Sequence, residues 1–124
     1  MAPYAIDPEQ PIEYILTCDR NLDPDAENRT VFDIKVLDDS EIDTIMRYIN
    51  IANRYFKKKG VSPQQNDQFV NSVIEIGIVG WEKFMIEEGA TINFSVENMK
   101  YLRMSNKVEL CQAVLSSNEL SLED

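Results

Sequence analysis

Residues 77–94, GIVGWEKFMIEEGATINF, constrain the fold of this chain more than any other stretch. They include the only tryptophan, two of the five phenylalanines and three of the four glycines. A helical apolar pattern ends where they begin, and a turn-rich pattern follows. Segments 83–86 and 91–94 are predicted to pair as short strands across a turn at Gly89, with a plain loop as the alternative.

Two residues of this stretch have predicted structural roles. Gly77 lies within or at the end of the preceding helix, where a glycine costs about 1 kcal/mol relative to alanine. We therefore expect Gly77 to permit the close approach of another backbone. Trp81 is predicted to anchor the core with its indole N–H on a backbone carbonyl oxygen, and a partner contact is the alternative.

The N-terminal part of the chain predicts an antiparallel β-hairpin. Residues 12–17 (IEYILT) are β-branched and aromatic, and residues 30–37 (TVFDIKVL) alternate between apolar and polar positions. Tyr14, Ile15 and Val31 supply more apolar surface than one core face needs. They are candidate partner-binding residues, with ordinary burial as the alternative.

Helical spacing of apolar residues predicts most of the remaining chain. Ser40 is expected to cap a helix of about four to five turns that ends near Gly60, with Asp43 completing an acidic capping box. A second helix follows residue 67, and Ser105 is expected to cap the last helix. The residues predicted to face the core from these two helices are Phe69, Val70, Val73, Ile74, Ile78, Val108, Cys111, Val114 and Leu115.

The predicted fold class is α+β, with an N-terminal antiparallel β-hairpin packed on a small helical bundle. The length of 124 residues suits a single domain, 1–124. Residues 1–11 are predicted to form an extended lead-in and residues 117–124 a frayed tail. In that tail Leu120 and Leu122 are further candidate partner-binding residues, with folding back onto the domain as the alternative.

Acidic residues outnumber basic ones by 22 to 12, which gives a net charge of −10. A surface this negative disfavours binding to nucleic acid, whose phosphates attract lysine and arginine. No apolar run approaches the ~18 residues that span a bilayer. We therefore expect neither a nucleic-acid nor a membrane partner. Strong negative charge favours solubility and discourages self-association, but a homo-oligomer stays open as an alternative.

The sequence contains few of the residues that carry enzyme chemistry. It has no histidine, which removes the commonest general base and the usual zinc ligand sets. Cys18 and Cys111 each lie in an apolar run and are predicted to be buried, unpaired thiols. No catalytic, cofactor-binding or metal-binding residue is predicted. An enzyme that uses paired carboxylates is the alternative, with Glu75 and Glu109 in the most apolar contexts.

A loop that starts at Asp23 has acidic residues at alternate positions, as a calcium-binding loop does. Asn28 occupies the position where such a loop needs glycine, and Ile34 occupies that of the bidentate acid. The sequence therefore predicts a solvated loop, with calcium binding as the minor alternative.

Three segments resemble the tail assembly chaperones of tailed bacteriophages. Residues 13–42, EYILTCDRNLDPDAENRTVFDIKVLDDSEI, resemble their hairpin start, in which an acidic, arginine-bearing loop leads into a threonine-started strand and then a helix. Residues 80–102, GWEKFMIEEGATINFSVENMKYL, resemble their Gly-Trp-Glu, Glu-Gly, Phe-Ser and Glu-Asn pattern. Residues 107–124, KVELCQAVLSSNELSLED, resemble their last helix and the Asn-x-Leu-Ser that follows it.

This resemblance implies a non-enzymatic acidic protein that acts in the host cytoplasm during phage assembly. Its partners would be the tape measure protein, whose long apolar helices it keeps soluble, and the tail tube protein, which it brings to the tape measure. The matching positions are core and turn residues, so no site residue is carried over. A structural virion protein, such as a neck or tail-completion subunit, is the alternative function.

Overall fold

The computed structural model describes residues 10–23, 25, 29–59, 67–87 and 90–120, with the backbone alone described at 55–59 and 86–87. The fold is α+β, and an N-terminal antiparallel hairpin packs on helices, as predicted. In chain order the elements are β1 (Ile12–Tyr14), a 3-10 turn (Thr17–Asp19), β2 (Val31–Ile34), α1 (Asp39–Lys59), α2 (Asp67–Gly77), β3 (Ile78–Glu82), β4 (Met85–Glu87), β5 (Ala90–Thr91), a 3-10 turn (Glu97–Tyr101) and α3 (Met104–Ser117).

A third strand, which the sequence analysis does not predict, extends the hairpin into a three-stranded sheet. β3 pairs antiparallel with β2, so β2 is central and β1 and β3 are its edges. Ile78, predicted to continue the stripe of the second helix, instead begins β3. The helix ends at Gly77, and the β-branched pair Ile78 and Val79 then favours extended backbone.

The inner face of the sheet supplies part of the core. Phe32 lies opposite Tyr14 on β1 and Trp81 on β3, and Ile34 lies opposite Ile12 and Ile78. Phe32 and Ile34 are fully buried. The predicted inward residues of α2 and α3 are confirmed as core or core-packed, and the fully buried ones are Val70, Val73, Ile74, Cys111 and Val114.

The first helix begins at Asp39, one residue before its predicted cap, and Asp38 caps it. The Asp38 carboxylate accepts a hydrogen bond from the Glu41 N–H at 2.8 Å, and the Glu41 carboxylate accepts one from the Asp38 N–H at 3.1 Å. This reciprocal pair is the capping box, so the prediction of Ser40 with Asp43 is wrong. Ser105 is also wrong as a cap, because α3 already includes it.

Trp81 is a core anchor, as predicted. It is 8% exposed, and its indole N–H donates a 2.8 Å hydrogen bond to the Ile92 carbonyl oxygen. Phe84 and Phe94 pack edge-on against the indole with ring centroids 4.9 Å away. The predicted second pair of strands is present as β4 and β5, although Gly89 at its turn lies outside the described residues.

Part of the predicted tail is bound to the domain. The Asn118 side chain accepts a hydrogen bond from the Leu37 N–H at 2.9 Å and donates one to the Lys35 carbonyl oxygen at 3.2 Å. Leu120 packs against the core, and its N–H donates to the Leu115 carbonyl oxygen at 2.7 Å. Residues 118–120 therefore fasten the end of α3 to the segment after β2, and residues 121–124 lie outside the description.

Gly77 is the point where α2, β3 and α3 meet. A Cβ atom added there would lie 2.7 Å from Val114 Cγ2 and closer still to Val114 Cγ1. The space that a Cβ would need is thus occupied by the branched side chain of Val114, and not by another backbone as predicted. The Gly77 carbonyl oxygen also accepts a 2.8 Å hydrogen bond from the Lys35 N–H.

We expect Gly77→Ala to lower the free energy of unfolding by about 2 to 3 kcal/mol, because the new methyl group overlaps Val114 in a packed core. Val114→Ala removes the overlapping methyl groups. In that background, the loss of unfolding free energy caused by Gly77→Ala should be smaller by at least about 1 kcal/mol. Urea unfolding of the four chains in this cycle measures the coupling.

Gly80→Ala is the matched glycine control. Its new Cβ atom would lie 2.9 Å from Asp33 Oδ2, the end of a side chain that can move aside. We expect a cost below about 1 kcal/mol. Equal losses at Gly77 and Gly80 would contradict the role assigned to the Val114 contact.

Candidate functional site

One carboxylate on α3 fastens the end of the hairpin to the helices. Glu109 Oε2 accepts hydrogen bonds from the Tyr14 hydroxyl at 2.6 Å, the Thr17 N–H at 2.9 Å and the Thr17 hydroxyl at 3.1 Å. Tyr14 ends β1 and Thr17 begins the 3-10 turn that follows. We call Tyr14, Thr17, Arg20 and Glu109 the Glu109 cluster.

Arg20 completes the Glu109 cluster from the loop side. Its Nη2 donates to the Tyr14 hydroxyl oxygen at 3.1 Å, and its Nε donates to the Ile15 carbonyl oxygen at 3.2 Å. The guanidinium carbon lies 5.5 Å from the centre of the Tyr14 ring, within cation–π range. The arginine therefore places a positive charge beside the phenol that bonds to Glu109.

Burial alone would raise the pKa of Glu109, but the hydrogen bonds from Tyr14 and Thr17 and the charge of Arg20 together lower it. The pKa of Tyr14 is raised by burial and by the hydrogen bond to the Glu109 carboxylate. At neutral pH the cluster thus holds a carboxylate anion against a neutral phenol. This arrangement suits a fixed structural anchor, since neither group is poised to exchange a proton near pH 7.

The second surface of interest is the outward face of the three-stranded sheet. Val31 and Asp33 lie on it because their neighbours Phe32 and Ile34 face the core. Glu13 pairs with Asp33 and Glu82 pairs with Val31, so both glutamates share this face. Val79 lies at the irregularity in β3 and is 45% exposed. We call Glu13, Val31, Asp33, Val79 and Glu82 the outer sheet face.

Asp33 lies near the centre of the outer sheet face, opposite Gly80. Burial raises its pKa, and the negative charges of Glu82 and Glu13 raise it further. Gly80 leaves room for this carboxylate, since a Cβ there would come within 2.9 Å of Asp33 Oδ2. The face therefore concentrates negative charge beside valine side chains.

The predicted partner-binding residues divide into three groups. Tyr14 and Leu120 pack against the core, and the Tyr14 hydroxyl is bonded within the Glu109 cluster. Ile15 and Val31 are half-buried, and only Val31 belongs to the outer sheet face. Leu122 lies outside the described residues. Of the five residues, Ile15 and Val31 thus keep the accessible apolar surface that the prediction requires.

The remaining predictions about chemistry concern thiols, metals and membranes. Both cysteines are free, as predicted, but only Cys111 is buried and Cys18 is exposed. Burial raises the pKa of the Cys111 thiol to about 12, so that thiol is unreactive. Within the described ranges, no group of three acidic or cysteine side chains is arranged to hold a metal ion. No helix described there is both long and apolar enough to cross a membrane.

Sequence reasoning did not find the Glu109 cluster. Glu109 is 95 residues from Tyr14, so no local pattern connects the two. Glu109 is partly buried and precedes Leu110 and Cys111, which face the core from α3. This position is the one sequence feature that points to the cluster, because a carboxylate at the border of a packed face is accessible to polar groups of a neighbouring element.

These features define an α+β protein with a helical core, a carboxylate anchor at its hairpin and an acidic, partly apolar sheet face. Comparisons with protein-family models, with curated proteins and with solved structures give no match to this chain.

We expect Glu109→Gln to lower the free energy of unfolding by about 1.5 to 3 kcal/mol at pH 7, because it weakens hydrogen bonds to a charged acceptor. The folded-state pKa is lowered from 4.5, so the stability that this carboxylate contributes is present above that value and is lost as the pH falls through the folded-state pKa. The gap between the two proteins should therefore close in acid. Glu75→Gln, on the exposed side of α2, is the control and should change stability little at any pH.

Asp33→Asn should raise the free energy of unfolding by up to about 1 kcal/mol at pH 7, because it removes like-charge repulsion between neighbouring strands. The folded-state pKa is raised from 3.8, so the stability that Asp33 contributes is fully present below that value and is lost as the pH rises through the folded-state pKa. The advantage of the variant should shrink in acid and in high salt. Thermal melts at several pH values measure it, and a variant less stable than wild type at neutral pH would contradict this account.

Proposed function

We propose that this protein is a non-enzymatic tail assembly chaperone of a tailed bacteriophage, active in the host cytoplasm. It binds the tape measure protein, keeps its apolar helices soluble and helps recruit tail tube subunits. The proposal rests on the sequence resemblance and on a surface that suits binding to protein. An acidic chain with accessible apolar side chains can stay soluble while it covers an apolar client.

The observation that carries the proposal is the outer sheet face. Half-buried Val31 and 45%-exposed Val79 lie there among the carboxylates of Glu13, Asp33 and Glu82. The valines offer contact area to an apolar client, and the carboxylates keep the unoccupied face hydrated. We assign the client contact to this face together with Ile15 at the end of β1.

The state of Glu109 supports a non-enzymatic function. An acid–base catalyst needs a carboxyl group that exchanges its proton near the working pH. Glu109 accepts three hydrogen bonds and has a lowered pKa, so it holds its negative charge. Asp33 has a raised pKa, but its partial burial and the like charges of Glu82 and Glu13 beside it account for the shift without catalysis.

Co-expression with a fragment of the phage tape measure protein tests the proposal. We expect the wild-type chain to raise the soluble yield of the fragment at least severalfold. Val79→Asp should remove most of this gain, because it replaces apolar contact area with a charge that must lose its water when the client binds. Val96→Asp is the matched control, since Val96 is 50% exposed and lies outside the sheet.

No gain in soluble yield from the wild-type chain would count against the chaperone function. Equal loss in Val79→Asp and Val96→Asp, with both variants folded by circular dichroism, would count against the assigned face. Mass spectrometry of purified virions addresses the alternative function: a chaperone is expected to be absent from the finished particle, and a neck or tail-completion subunit to be present in fixed copy number.

A further inference from the structure

The exposed side of α1 carries a short basic stripe on an otherwise acidic protein. Arg47, Ile51 and Arg54 are spaced by four and three residues, so they share one side of the helix. All three are exposed, and Ile51, at 65%, is the most exposed large apolar side chain among the described residues. Among the described residues neither arginine has an ion-pair partner. We call these three residues the α1 stripe.

The α1 stripe and the outer sheet face are complementary in charge and in layout. Arg47 and Arg54 are seven positions apart, which is about 10 Å along a helix axis. Glu13 and Glu82 lie on the two edge strands and are offset by two residues, which places them about 12 Å apart. Each surface also has an apolar residue beside its charges, Ile51 between the two arginines of the helix and Val31 next to Glu82 on the sheet.

We propose that two copies of this chain associate through these surfaces, the α1 stripe of one copy lying across the outer sheet face of the next. Arg47 and Arg54 pair with Glu13 and Glu82, and Ile51 covers Val31. The contact joins two different surfaces, so a copy with one surface occupied still presents the other.

The net charge of −10 opposes this association at low ionic strength. Repulsion between whole molecules acts over long distances and is largely screened at physiological salt, where the Debye length is about 8 Å. The local pairs between arginine and glutamate are closer than that and are screened less. We therefore expect association to strengthen from low to physiological salt and to weaken again in high salt.

The outer sheet face is also the surface that the proposed function assigns to the client. Self-association would cover its valines while no client is bound, and a client would compete with the second copy. Only this competition rests on the proposed function. The contact between copies is tested with the purified chain alone, so the two proposals can fail separately.

Sedimentation of paired charge-reversal variants tests the contact. Glu13→Arg with Glu82→Arg makes both surfaces positive, and Arg47→Glu with Arg54→Glu makes both negative, so each double variant should bind itself at least tenfold more weakly than wild type. An equimolar mixture should associate again, because each surface then meets its opposite. Glu75→Arg with Glu119→Arg is the matched control for the first double variant, with the same change in net charge at exposed positions elsewhere, and should associate like wild type.

A monomeric wild-type chain at about 100 μM and physiological salt would overturn the proposal, as would a mixture that stays monomeric although both variants give folded spectra. If a reversal variant does not fold, a disulfide trap replaces it. In a Cys18→Ser background, a chain with Val31→Cys should cross-link to a chain with Ile51→Cys, whereas Val96→Cys should not cross-link to Ile51→Cys. Cross-linking that is equal in both mixtures would also overturn the proposal.

Discussion

The contact between Gly77 and Val114 fixes how the helices and the sheet meet. At Gly77 the helix α2 ends, the edge strand β3 begins and α3 comes closer than a side chain at this position would allow. The Gly77 carbonyl oxygen accepts a hydrogen bond from Lys35, so the end of β2 is bonded at the same point. One residue without a side chain thus sets the spacing of three elements, which explains a glycine where a helix alone would favour alanine.

The junction at Gly77 positions the hairpin, and Glu109 holds the end of β1 against the helices. β1 has only three residues and pairs with β2 alone. A strand pair this short is not stable by itself in water. The bonds from Tyr14 and Thr17 to one carboxylate oxygen fasten it to α3. Both anchors involve α3, so the last helix of the chain organises the first strand.

The sequence predicts the parts of this fold that depend on local patterns. The alternation around Phe32 predicts the hairpin, and the helical spacing of Val70, Val73 and Ile74 predicts the inward face of α2. Trp81 is predictable because a large ring with one N–H needs both burial and an acceptor. β3 is missed because Ile78 suits the stripe of a longer helix as well as the inner face of a strand.

The candidate sites were less predictable, because they depend on contacts between distant segments. Glu109 and Tyr14 have no common motif, and Asp33 gains its neighbours Glu13 and Glu82 only when the two edge strands pair with β2. The turn at Lys83, with φ at 59°, likewise lacks the glycine or asparagine that marks such a turn in a sequence. Local chemistry defines elements, while the packing of elements determines which charges meet.

The charge pattern of the outer sheet face indicates what kind of surface it is. Three carboxylates on neighbouring strands destabilise the sheet slightly, and the Asp33 carboxylate occupies the space that a side chain at Gly80 would need. A face that served only the fold would gain stability from a lysine or a threonine at these positions. A basic or partly apolar partner removes the repulsion on binding, so the small cost in the free protein becomes a gain in affinity and specificity for that partner.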